Sequence, residues 1–132
     1  MKYLKTFESA DTEYYKKINA DQVNMYYRGN DILKMSEKNI NMIKSFSNKI
    51  RFSVEYVKSK DRIHTGTDYS YCSLYIRDTT YQPVLYSRWT NIGSISELKD
   101  EWFITSFGGF YYLCDQLEGL KKCFDKQLKS FI

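Results

Sequence analysis

His64 is the single histidine of the 132-residue chain and sits in the glycine-containing stretch RIHTGT. A Cys–His dyad would need Cys72, Cys114 or Cys123 within hydrogen-bond reach of that imidazole. Cys72 alternates in step with Leu74 and Ile76, and Cys123 stands beside Phe124. Both are therefore expected in apolar surroundings, where a thiol's pKa rises and its reactivity falls. Cys114 stands where a helix begins, a position that favours thiolate, but core packing is the expectation there too. A structural zinc site takes four ligands at short spacings. One histidine and three scattered cysteines do not supply it, so neither metal nor other cofactor is expected. Gly-rich phosphate loops (G-x-G-x-x-G, Walker A) and the G-x-S-x-G elbow do not occur. Asp100 and Glu101 are adjacent, so on a strand they would point to opposite faces. These residues argue for a non-catalytic protein, with an enzyme using Cys114 or His64 as the alternative.

Recognition chemistry is better provided for. In DYSYCSLYIRD, a period of two puts Cys72, Leu74 and Ile76 on one face of a strand. Tyr69, Tyr71, Tyr75 and Arg77 fall on the other. Either a helix covers that tyrosine face as core, each hydroxyl reaching the rim for a partner, or the face stays open as a platform. Aliphatic side chains outcompete tyrosine for a core, which favours the open platform. Tyrosine gives rigid contact area at low entropic cost and is enriched at recognition surfaces, as is arginine. Arg51 and Arg88 are the nearby supporting cations. The same residues suit base stacking, although the RNP1 pattern is missing and the element order is not βαββαβ.

Several elements must position this strand. Glu13–Ile18 reads as a short strand with Tyr14 and Ile18 facing one way. NADQVNMYYRG reads as a helix capped by Asn19, with Gly29 at a left-handed C-terminal position. Ser36 caps a second helix, whose Ile40, Ile43 and Phe46 form an apolar stripe. IRFSVEYVK alternates Ile50, Phe52, Val54 and Tyr56 with polar residues, the signature of a half-buried strand. Beyond the tyrosine strand, Thr79–Pro83 is expected as a turn, VLYSRW as a strand and TNIGSISELKD as a loop. EWFITSF and FYYLC follow as strands around the Gly108–Gly109 turn. A C-terminal helix then opens with capping-box spacing at Asp115 and Glu118. Its Leu117, Leu120, Phe124, Leu128 and Phe131 form a continuous core stripe, with Lys121, Lys122, Lys126 and Lys129 on the wet side. The expected fold class is α+β: two short N-terminal helices, an antiparallel sheet of about four to five strands, and a C-terminal helix packed on it.

Length and composition agree with a single domain over residues 1–132. Aromatic residues make up 17% of the chain, too much burial potential for a disordered coil. The net charge of +4 is spread thinly, unlike the clustered cations of a dedicated DNA binder. MKYLKTFESAD interrupts any apolar signal-peptide stretch with charges, and no apolar run approaches a membrane span. With three cysteines and no C-x-x-C pair, reduced thiols in a cytoplasm are expected, and no membrane partner.

The opening MKYLKTFES and the closing DEWFITSF…YYLCDQLEGLKKC resemble small accessory proteins of tailed bacteriophages. That resemblance implies a setting in the host bacterial cytoplasm, and it carries no fold or catalytic residues with it. It further implies a protein that binds and inhibits a host protein or ribonucleoprotein complex, such as a CRISPR effector of antiviral defence. A phage structural or assembly protein is the alternative from the same setting. Direct binding of RNA or single-stranded nucleic acid is the alternative from the tyrosine face.

Overall fold

The computed structural model describes residues 14–29, 31–58, 68–78 and 88–131. Six strands form one antiparallel sheet: β1 (Tyr15–Ile18), β2 (Ile50–Val57), β3 (Tyr69–Asp78), β4 (Arg88–Glu97), β5 (Trp102–Phe107) and β6 (Phe110–Asp115). Their order is β1-β6-β5-β4-β3-β2, so β2 to β6 run as a meander and β1 returns beside β6. Three helices accompany the sheet: α1 (Ala20–Arg28), α2 (Glu37–Lys44) and α3 (Gln116–Leu128).

The first two helices start where their caps demand. Asn19 accepts from the Gln22 amide at 3.0 Å while the Gln22 side chain accepts from the Asn19 amide at 3.1 Å, a reciprocal capping box. Ser36 Oγ accepts from the Asn39 amide at 3.2 Å and opens α2. The third helix departs from expectation. Asp115 makes no side-chain cap hydrogen bond, because it is still the last residue of β6, opposite Trp102. Its amide bonds the Tyr14 carbonyl, and Gln116 turns the chain sharply at φ 52°. Gly29 also differs from expectation: its φ is −78°, ordinary right-handed backbone, and its amide simply closes the last turn on Met25.

Both faces of the sheet carry a core. On one, Cys72, Leu74, Ile95, Phe103, Phe107 and Cys114 meet Leu120, Cys123, Phe124 and Leu128 of α3 and Ile43 of α2. The stripe read along α3 is thus buried at its centre and partly buried at Leu117 and Phe131. On the other face, Val23 of α1 packs with Ile18, Tyr69, Ile104 and Leu113, joined by Ile32 and Leu98. Because β1 has a core on each side, Tyr15 goes to the first and Ile18 to the second. Tyr14 precedes the strand and lies against α3, beside Gly119 and under the Lys122 ammonium, so it does not share a face with Ile18 as expected.

The largest correction concerns β4. Of the expected strand VLYSRW, Arg88 and Trp89 lie in β4 (84–87 and the expected 79–83 turn lie outside the described residues), and most of the expected loop TNIGSISELKD is strand. β4 lies between β3 and β5, so its backbone is paired on both sides although its side chains are mostly small or polar. The ladder, rather than hydrophobic alternation, holds it in place. A register shift between Leu74 and Tyr75 inserts Ile92 as an extra residue, which breaks the period-two pattern.

Candidate recognition face

The end of the sheet beyond that bulge gathers the cationic and aromatic residues. Arg51 on β2 lies opposite Tyr75 on β3, and Arg77 lies opposite Trp89 on β4. Antiparallel partners share a face, so these four side chains stand on one side of three neighbouring strands. The Arg51 guanidinium sits 6.0 Å from the centre of the Trp89 ring, at the limit of cation–π attraction. Trp89 is 36% exposed, Arg51 and Arg77 are exposed, and Tyr75 is half-buried. Beside them a cleft of about 660 Å³ opens among Arg77, Asn91, Ser106 and the Gly108–Gly109 turn.

The tyrosine stripe read from sequence therefore divides. Tyr69 is 1% exposed, its ring 6.1 Å from that of Tyr27, and it belongs to the α1 core rather than to an open platform. The reason is geometric: α1 covers only the end of this face where β3 begins. Tyr71 is half-buried at the boundary, its hydroxyl donating to Glu55 Oε2 at 2.6 Å. Ser73 donates to the other oxygen of the same carboxylate at 3.0 Å, which fixes Glu55 between two donors. Between the two ends runs a row of small residues, Ser53, Ser73, Ser94 and Ser106, one on each of four adjacent strands. Arg88 is exposed but opposes Asp78, one step out of phase with Arg77, which puts it on the opposite face of the sheet. Tyr75, Arg77 and Arg51 are brought together, whereas Tyr69 and Arg88 are not. Trp89 is the residue that sequence reasoning missed. Its one signal was a tryptophan directly after an arginine, where the apolar run VLY gives way to the polar TNIGS.

The thiols lie elsewhere. All three cysteines are free and buried. Burial pushes the Cys72 thiol up to about 11, and its sulfur rests 3.4 Å from that of Met35. A hydrogen bond with Cys123, reinforced by burial, pushes Cys114 well above the usual thiol range. Asp100 and Glu101 are in a single 3-10 turn rather than a strand, both exposed and both at positive φ. His64 lies outside the described residues. Among the described residues no group of three or more His, Cys, Asp or Glu side chains could hold a metal ion. No described helix is long and apolar enough to cross a membrane.

The buried thiols set a pH dependence. In the unfolded chain Cys72 ionises near its ordinary 9.0, while in the fold it stays protonated to about 11. Between those values the folded state holds more protons, so stability falls as pH rises. Chemical denaturation is expected to give constant stability below about pH 8 and a decline from about pH 9 toward 11. A thiol-specific chromogenic reagent at pH 8 is expected to label no cysteine in the native protein and three after denaturation. Rapid labelling of Cys114 in the native protein would contradict this.

No family model matches the chain, and no curated protein or solved structure is similar to it.

Proposed function

We propose that this chain is a phage-type accessory protein that binds and inhibits a host macromolecule, a component of antiviral defence such as a CRISPR effector, in the host cytoplasm. The observation that carries this reading is the cluster of Arg51, Tyr75, Arg77 and Trp89 on one partly exposed sheet face. Tryptophan, tyrosine and arginine are enriched among the residues that dominate protein interfaces, the two aromatics for large rigid area with a polar handle and arginine for its planar array of donors. Rigid strands hold them, so little ordering is needed on binding. The phage-like ends supply the biological setting.

Pull-down from a bacterial lysate, compared between wild type and Trp89→Ala, tests this directly. The expected result is a protein or ribonucleoprotein retained by wild type at micromolar concentration. Trp89→Ala should weaken it by about 2 kcal/mol or more, as befits an interface hot spot, with an unchanged melting temperature. Recovery of nothing specific by the wild type contradicts the proposal.

The exposed Trp89 with a guanidinium over its ring also favours a second reading, stacking of single-stranded bases. Counterion release makes such binding fall steeply with salt. Binding to mixed oligonucleotides at low salt that collapses as salt rises would favour this second reading. Salt-insensitive retention of a protein favours the first.

A further inference from the structure

Among the described strands, nothing pairs with the outer side of β2. Sheet edges are ordinarily blunted by brevity, lysines, proline or bulges, since an open ladder invites another strand. The opposite edge follows that rule: β1 has four residues, with Lys16 and Lys17 exposed. β2 does not. IRFSVEYV is eight residues long with neither lysine nor proline, and it pairs with β3 without a register break. Val54 and Tyr56 are 41% and 47% exposed along it. Its two charges, Arg51 and Glu55, are opposite in sign and flank Ser53 at equal distance.

We propose that the β2 edge docks a second copy of this chain, antiparallel, about a two-fold axis at Ser53, joining two six-stranded sheets into one. Opposed residues of an antiparallel pair share a face, so only registers that shift by whole two-residue steps keep the two cores on one side. With the axis at Ser53, Arg51 faces the partner's Glu55, and by symmetry Glu55 faces the partner's Arg51. On the other face Phe52 meets the partner's Val54 and Ile50 meets the partner's Tyr56. Moving the axis to Phe52 sets Arg51 against the partner's Ser53, and moving it to Val54 sets Arg51 against the partner's Val57. The Ser53 register alone pairs the strand's two charges with each other. In the free chain both lean inward, Glu55 accepting from the Tyr71 and Ser73 hydroxyls of β3 and Arg51 lying 6.0 Å from the Trp89 ring of β4, so pairing turns the Arg51 guanidinium from that weak contact to the partner's Glu55. The row of serines meets its own copy at the axis, Ser53 facing the partner's Ser53. Such a two-fold is perpendicular to the sheet, so the Arg51–Tyr75–Arg77–Trp89 faces of both copies look the same way and adjoin. The contact is isologous and closes at two copies.

Sedimentation over a wide concentration range tests the pairing, and cross-linking tests its register. The wild type should pass from monomer to dimer as concentration rises. Val54→Lys puts a lysine on the edge near the axis, and Arg51→Glu places like charges opposite one another. Each should weaken the dimer about tenfold or more without lowering the melting temperature at concentrations where the wild type is monomeric. Ser53→Cys should form an intermolecular disulfide in oxidised glutathione, since the axis brings the two introduced thiols opposite each other and the native cysteines are buried. Arg51→Cys should not, because its two copies stand four residues out of register, roughly 13 Å apart along the strand. A wild type that stays monomeric throughout overturns the proposal, as does a dimer that does not cross-link through Ser53→Cys.

Discussion

Phe124→Ala is expected to remove about 3–5 kcal/mol of folding stability, the combined loss of transfer free energy and the cavity left behind. Phe124 is fully buried at mid-helix in α3. Its ring centre lies 5.6 Å from that of Phe46, 6.3 Å from Phe52 and 5.7 Å from Phe107. One side chain thus ties α3 to the segment after α2, to the edge strand β2 and to β5, and three aromatic neighbours leave a void that they cannot easily refill. Whole domains are stable by roughly 5–15 kcal/mol, so the variant should stand close to unfolding. The matched control is Lys126→Ala, an exposed site in the last turn of the same helix, expected to change stability by less than about 0.5 kcal/mol. Lys122 is a poorer control, because its ammonium lies 3.8 Å from the centre of the Tyr14 ring. Urea titrations of the two variants beside wild type give the comparison. Equal stability of Phe124→Ala and wild type would mean that α3 does not pack as described.

Gly93→Ala is expected to be at least as damaging. A Cβ at residue 93 would stand 1.7 Å from the Ser106 carbonyl oxygen and 2.6 Å from its carbonyl carbon. Neither atom belongs to a side chain that can swing aside, so β4 and β5 must separate. Overpacking in cores commonly costs about 1–3 kcal/mol, and a backbone clash in the middle of a meander should exceed about 3 kcal/mol. The expected observation is an insoluble or molten protein, with the dispersed amide spectrum of the wild type lost. A variant melting within a few degrees of wild type would show that the strands do not approach so closely at this point.

These two residues also show what the sequence disclosed. Phe124 was legible because α3 repeats apolar residues at helical spacing and its wet side is lysine-rich, two signals that agree. β2 was legible for the same reason at period two. Gly93 and the strand around it were not. TNIGSISE has few side chains that demand burial, and the extra residue Ile92 shifts the alternation halfway along. Position in the middle of the sheet, a property of the whole chain, makes it a strand. The recognition face was half legible. Alternation along β3 correctly separated the tyrosines from Cys72 and Leu74, but it had no means of showing that α1 returns over Tyr69 and stops short of Tyr75. Trp89 went unseen because its strand was read as ending where it begins.

Recognition is proposed where β2, β3 and β4 present Arg51, Tyr75, Arg77 and Trp89, and not at the tyrosine buried under α1. Amide hydrogen exchange of the chain with and without its captured macromolecule measures this directly. The expected result is added protection over residues 75–77 and 88–91, with little change in α1 or around Tyr69. Protection confined to α1 and the start of β3, with residues 88–91 exchanging as in the free protein, would contradict it.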